Sequence, residues 1–162
     1  MAYTVIRDTR EKAGWDFEPS ESCLGTTVAT LKTGDYSLVG YEHLFTLERK
    51  QSPQEFCSNL TQSEKWSAFK RELERLETIP HTAIICEFPL SLLVSYPVGS
   101  GIPRHLWPKI RVKPQFLIKR VCEIQLSFKT PILFADGGSG KVLASSMFKR
   151  IVERYGQQPD PA

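Results

Sequence analysis

The sequence predicts an α/β fold, and three observations carry that reading. Strand-like and helix-like stretches alternate from Leu47 to Tyr155, the pattern of a domain built from layers of sheet and helix. Before Leu47, β-branched and aromatic runs are broken by glycines, which places the first strands as a meander at one side of that layer. The chain of 162 residues is long enough for one sizeable core and needs no second domain. Residues 1–155 are therefore read as one domain, and 156–162, "GQQPDPA", as a flexible tail.

The elements follow in order. "YTVI", Tyr3 to Ile6, is a short β-branched strand that enters the charged loop "RDTREKAGWDF". "TTVATLKTGDYSLVG" has strand character on both sides of a break at Thr33-Gly34-Asp35. "HLFTLERK" alternates Phe45 and Leu47 against Leu44, Thr46 and Glu48, and these stretches are read as antiparallel neighbours joined at Gly40-Tyr41-Glu42. Ser52-Pro53-Gln54-Glu55 is a cap with proline at the first helical position, so a helix begins there with Phe56 and Leu60 on one face. It continues through Trp66, Phe69, Leu73 and Leu76, while Lys65, Lys70, Arg71 and Arg75 lie on or near the other face.

"HTAIICEF" is a buried strand. Prolines at 89, 97, 103, 108 and 114, with Gly99 and Gly101, make the next segment a loop with at most one short helix. Leu117, Val121, Ile124 and Phe128 recur at helical spacing, "PILFA" is a last strand, and Ser139 to Tyr155 a final helix.

Composition excludes several function classes. The start "MAYTVIRDTREKAGW" carries charges where a signal peptide needs an unbroken apolar run, and no stretch is long enough to span a bilayer, so an intracellular location (cytoplasm or nucleoid/nucleus) and no membrane partner are expected. Cys23, Cys57, Cys86 and Cys122 form no CxxC pair, and His43, His81 and His105 are scattered; zinc-site spacing is absent and the cysteines read as free, mostly core-filling thiols. A net charge of +3 is compatible with a nucleic-acid partner without selecting one. "DGGSGK" fails as a phosphate-binding loop, because Ala135 stands where its first glycine belongs and Val142 where it needs Ser or Thr.

The chemistry concentrates around one strand. Residues two apart on a strand share a face, so Glu48 and Lys50 project together and Arg49 points the other way. Asp35 lies thirteen residues before Glu48 at a glycine-assisted kink, where hairpin pairing brings the two acids together. Carboxylate oxygens suit Mg²⁺ or Mn²⁺, and magnesium usually takes only one or two of them. A lysine beside them can orient an attacking water or stabilise charge on a phosphate oxygen. On spacing alone, a solvated strand end is the commoner meaning of this pattern.

Four motifs in fixed order change that balance: "VIRDTRE" (Val5 to Glu11), "LKTGDY" (Leu31 to Tyr36), "LERK" (Leu47 to Lys50) and "AIICEF" (Ala83 to Phe88). Together, over Tyr3 to Tyr155, they resemble the XPF-type structure-specific nuclease domain, with its D-x-R-E start, G-D-Y turn and E-R-K strand. The resemblance implies a restriction-endonuclease-like core, a central mixed β-sheet flanked by helices. It also implies Mg²⁺- or Mn²⁺-dependent endonucleolytic cleavage of branched or flapped DNA, such as forks, flaps and junctions, in repair or recombination. Asp35, Glu48 and Lys50 would take the metal and water roles, with Asp8 a further acidic ligand. Arg49 is counted with the catalytic group, and Arg10, Glu11 and Glu55 are additional candidates. The chain resembles the catalytic unit of larger relatives without their helix-hairpin-helix and helicase domains.

One position departs from the pattern. Where the family has aspartate after E-R-K and three residues, this chain has Gln54, followed by Glu55, which substitutes only after a slight shift. Gln54 motivates an alternative reading, a non-catalytic DNA-binding or scaffold subunit of the same fold. A third is a nuclease of this fold with ordinary duplex specificity.

The plainer meanings of other residues stand beside these. Asp8 and Arg10 can be a local ion pair in a charged loop, worth little if exposed. Glu87 is either a strand-end site acid or a buried acid paired to a basic residue. Lys65 and Arg71 are candidate phosphate contacts, although a solvated helix face explains them as well. Arg104, Lys109, Arg111 and Lys113 make a better DNA-binding cluster, because His105 and Trp107 lie among them and no acid does. Phe148, Ile151 and Tyr155 on the final helix, with the helix from Pro114, read first as core and second as the face of a homodimer.

Overall fold

The structure is a computed structural model that describes residues 1–156; the tail expected over 156–162 lies, apart from Gly156, outside the described residues. Six strands form one sheet: β1 (Tyr3–Asp8), β2 (Cys23–Ala29), β3 (Tyr36–Leu38), β4 (Phe45–Lys50), β5 (His81–Cys86) and β6 (Ile132–Phe134). Their order is β2-β1-β3-β4-β5-β6. β1 is parallel to β2 and antiparallel to β3, β3 is antiparallel to β4, and β4, β5 and β6 run parallel. The helices are α1 (Pro53–Thr61), α2 (Ser63–Leu76), α3 (Ser91–Val94), α4 (Pro114–Ser127) and α5 (Ser139–Tyr155). The α/β fold with a central mixed sheet is therefore as expected.

Both faces of the sheet are covered, which is why β5 ends in a continuous apolar run, Ala83 to Cys86, and why even the charged residues of β4 are buried. On one face Val5, Tyr36, Leu47 and Ile85 pack against Ala144, Phe148 and Val152 of α5. On the other, Ile84, Cys86 and Ile132 pack against Phe56, Leu60, Phe69, Leu73, Leu117 and Ile124 from α1, α2 and α4. Phe148 is the hub of the first cluster, with ring centroids 5.2 Å from Phe17 and 5.8 Å from Phe45, both edge-on. Phe148 and Ile151 are thus core residues, and any dimer contact would have to use other surfaces.

Three expectations are corrected. β2 does not neighbour β3; it lies at the sheet edge, parallel to β1, with Val5 opposite Thr26 and Asp8 opposite Ala29. β1 takes the interior place because four of its six residues are buried, whereas β2 exposes Leu24 and Val28. The single helix expected from Ser52 is two, broken where Gln62 is extended. Leu60 and Phe69 are nine positions apart, about two and a half turns, so an unbroken helix would put them on opposite sides; the break lets both face one core. The proline-rich segment holds α3 and also a 3-10 turn, Arg104–Lys109, which tolerates Pro108. Of the four free cysteines, Cys122 is exposed and the other three are buried. Among the described residues no helix is long and apolar enough to cross a membrane.

The break before β3 depends on Gly34. Its φ is +79°, a left-handed conformation, and a Cβ there would collide with the Thr46 hydroxyl. That hydroxyl reaches the carbonyls of Thr33 (3.0 Å) and Tyr36 (3.1 Å), so it is not free to swing aside. Gly34→Ala is expected to cost about 3 kcal/mol and lower the melting temperature by roughly 6–12 °C; an unchanged thermal unfolding curve would contradict this.

Candidate active site

Backbone pairing brings three segments together at one end of the sheet. The Asp35 amide donates to the Leu47 carbonyl (2.7 Å), and the Asp8 amide donates to the Asp35 carbonyl (2.8 Å). Asp35 Oδ2 accepts from the Arg49 amide at 2.8 Å, which fixes the Asp35 carboxyl against the end of β4. The expected hairpin-like approach of Asp35 to β4 is realised.

Strand alternation sorts the next three side chains. Lys50 Nζ donates to Glu48 Oε1 at 2.9 Å, on the face covered by α1 and α2. Arg49 points to the other face, where Nε donates to Glu87 Oε2 (2.6 Å) and Nη1 to Glu11 Oε1 (3.3 Å). Its guanidinium lies 5.3 Å from the Trp15 ring, whose Nε1 donates to Glu87 Oε1 at 2.7 Å. Glu48, Arg49 and Lys50 are only 6, 7 and 5% exposed, so a solvated strand end is ruled out.

Arg49 is the centre of a buried network, and Glu87 is its acid. Removing one partner of such a pair leaves the others desolvated and unmatched, which typically costs about 3 kcal/mol or more. Arg49→Met is expected to lower the melting temperature by roughly 6–12 °C in thermal unfolding. A loss of a degree or less would show that the network is not structural.

The other face is short of positive charge. Burial, and then the Glu48 carboxylate, push the Asp35 carboxyl up to about 8. Glu48 is raised as well, by burial first and by Glu72, with Lys50 acting against them. Burial alone would lower Lys50, but Glu48 and Glu72 outweigh it and keep the ammonium charged. Two hard carboxyl groups that retain protons near neutrality suit a divalent cation, which would supply the missing charge.

Asp8 does not complete a three-acid cluster. Its side chain is fully buried and both its oxygens accept from Arg10 Nε, at 3.0 and 2.9 Å, while Arg10 Nη2 reaches the Leu31 carbonyl. The local ion pair is therefore present, with its acid buried. Among the described residues no group of three His, Cys, Asp or Glu side chains is arranged as a ready metal cage. Glu55 does not stand in for the absent aspartate: its Oε2 accepts from the Gln51 amide (2.9 Å), capping α1 together with Ser52. Gln54 lies against the proline-rich segment, its Nε2 3.2 Å from where a Gly101 Cβ would sit.

The candidate DNA-binding residues are exposed. Lys65 donates to Ser58 Oγ at 2.7 Å, and Arg71 lies on the outer surface of α2. Arg104 is 5.6 Å from the Trp107 ring, which is held by a 2.9 Å bond from its Nε1 to the Ile102 carbonyl. Lys109, Arg111 and Lys113 follow on the same segment. Sequence reading gave Glu72 only a place on a solvated helix face; it lies three residues after Phe69 on α2, and its Oε2 is 3.8 Å from Lys50 Nζ. Its spacing from a core phenylalanine was the available signal, because residues three apart share a helix face. Arg120 was missed too; it packs over Trp66 (4.4 Å) and Phe116 (5.0 Å).

Comparison with known proteins bears on the family and the fold. The ERCC4 domain family matches residues 7–139. The fold is similar to that of XPF from Aeropyrum pernix, at 19% identity and a TM-score of 0.62 over 98% of this chain, which covers 65% of that one. It is also similar to Aeropyrum pernix XPF in complex with DNA, at 18% identity and a TM-score of 0.59, covering 98% of this chain and 68% of that one. A search of curated proteins gave no match. The motif order, the mixed sheet and the family match over most of the chain lead to one assignment: this protein belongs to the ERCC4 domain family and has the α/β fold seen in XPF from Aeropyrum pernix.

Proposed function

We propose that the chain is a divalent-metal-dependent endonuclease acting on branched or flapped DNA in repair or recombination. The observation that carries this reading is the gathering of Asp35, Glu48 and Lys50 at the buried end of β4. Asp35 and Glu48 would hold Mg²⁺ or Mn²⁺, with Asp8 adding negative charge behind Arg10. Such a cation, when bound, polarises a phosphate oxygen and makes water a better nucleophile.

The chain's own residues do the positioning. The Arg49 amide orients the Asp35 carboxyl, and the Glu11–Arg49–Glu87 network anchors the strand from which Glu48 and Lys50 project. The Lys50 ammonium is a donor for a phosphate oxygen or the attacking water. Arg104, Lys109, Arg111 and Lys113 would hold phosphates of one DNA arm, with Trp107 available to stack on an unpaired base, and Lys65 and Arg71 would hold another. The comparison protein solved with DNA supports DNA as the partner.

The test is incubation with labelled fork, flap, four-way-junction and plain duplex DNA in Mg²⁺ or Mn²⁺. Cleavage of the branched substrates is expected, and Lys50→Ala should slow it by about 10²- to 10³-fold. No cleavage of any substrate by the unaltered protein would sink the proposal, and equal cleavage of plain duplex would favour an ordinary duplex nuclease. One observation favours a second reading, a non-catalytic DNA-binding subunit: Gln54 packs on Gly101 and Glu55 caps a helix, so neither supplies the carboxylate that the family places here. Calorimetry separates the two, because a scaffold has no need to bind Mg²⁺ through Asp35 and Glu48.

A further inference from the structure

Lys50 is enclosed more completely than its partnership with Glu48 requires. Its ammonium is 2.9 Å from Glu48 Oε1, 3.8 Å from Glu72 Oε2 and 4.9 Å from the centre of the Phe69 ring. Glu48 lies two residues away on β4, whereas Phe69 and Glu72 come from α2, which packs on that face of the sheet. Phe69 and Glu72 are three apart and share the face that the break at Gln62 turns toward the sheet. Glu72 is also close enough to Glu48 to raise its carboxyl. Arg75 stands three positions on along α2, but the ion pair that the structure records for Glu72 is the one with Lys50.

We propose that Glu72 is the positioning residue for Lys50, the counter-charge that keeps its ammonium between β4 and α2 once Glu48 is engaged by a divalent cation. The argument is electrostatic and geometric. A cation on Glu48 takes up that carboxylate's charge and repels an ammonium held beside it, and in a buried site neither effect is screened by salt. Lysine's flexible four-carbon stem would let the ammonium leave for water. Glu72 attracts it from the α2 side, and the Phe69 ring supports the same position with its negative face. The sequence of events on metal loading is then an exchange of partners, with Lys50 passing from Glu48 to Glu72. This inference rests on the reading of Asp35 and Glu48 as metal-holding groups.

The experiment follows the Lys50 ammonium by NMR in lysine-¹⁵N-labelled protein, its signal assigned by absence from Lys50→Arg. In the unaltered protein the signal should persist at saturating Mg²⁺; in Glu72→Gln it should persist without Mg²⁺ and disappear with it. Single-turnover cleavage of fork DNA by Glu72→Gln should fall about 10- to 100-fold, the scale of a misplaced catalytic group, with DNA affinity within about twofold and Glu72→Asp intermediate. Melting curves report whether each variant is folded, and Glu72→Asp carries the comparison if Glu72→Gln is not. Loss of the Lys50 signal from the unaltered protein on adding Mg²⁺, its retention in Glu72→Gln with Mg²⁺, or full cleavage by Glu72→Gln would each overturn the proposal. If the unaltered protein cleaves nothing while the NMR behaves as expected, the nuclease reading fails and the positioning role stands.

Discussion

Replacing Asp35 with asparagine is expected to reduce metal-dependent cleavage about a thousandfold while making the metal-free protein more stable at pH 8. The first effect follows from loss of an anionic oxygen ligand beside the reacting phosphate, a change worth several kcal/mol in the barrier. The second follows from the position of the carboxyl. Its ordinary value is 3.8, and in the folded protein burial and the nearby Glu48 raise it to about 8. Between these values the folded state keeps a proton that the unfolded state has released. The stability associated with Asp35 is therefore complete below about pH 4 and is lost as pH rises through about 8.

Asparagine carries no charge to bury and its side-chain oxygen still accepts from the Arg49 amide. The variant should gain roughly 1–3 kcal/mol at pH 8 and lose much of the pH dependence. Urea unfolding of both proteins at pH 5 and pH 9 measures this, and an Asp35→Asn protein that is less stable than its parent at pH 9 would refute it. Mg²⁺ should stabilise the unaltered protein and leave the variant much less affected, since only a state that binds the ion gains from it. Because metal must displace the proton, cleavage should also rise with pH up to about 8.

Removal of the Lys50 amine is the second large effect. Lys50→Ala should lower the single-turnover rate by about 10²- to 10³-fold, the scale for deleting one donor to developing charge. It should also destabilise the metal-free protein by about 3 kcal/mol, because the buried Glu48 loses its partner and faces the half-buried Glu72 without a counter-ion. Lys50→Met, which keeps an apolar stem over Phe69, separates lost packing from lost charge. Added Mg²⁺ should restore part of the stability of Lys50→Ala by supplying charge to those acids. Cleavage by Lys50→Ala at the unaltered rate would remove lysine from the chemistry, whatever its effect on stability.

The parts of the fold that were legible in the sequence are those governed by short-range rules. The α5 boundaries, Ser139 and Tyr155, follow from helical spacing, and the start of α1 follows from Ser52 and Pro53. The break of the second helix at Gln62 was also written in the phase of Leu60 against Phe69, but only a shared core gives that phase a consequence. The place of β2 could not be read, because parallel pairing to β1 involves no turn between adjacent strands and hence no turn signal.

The candidate site divides in the same way. Sequence by itself determined that Glu48 and Lys50 share one face and Arg49 takes the other, since side chains alternate on a strand whatever surrounds it. It also determined that Gly34 bends the chain to bring Asp35 alongside. The local pairing of Asp8 with Arg10 was also legible, but tertiary structure alone decided the other partners: Glu11 and Glu87 for Arg49, and Glu72 for Lys50. These pairs join segments far apart in the chain, and their meeting depends on strand order and on the rotation of α2 about its axis. Local spacing contains neither quantity, because both are set by how the two apolar clusters close on the sheet.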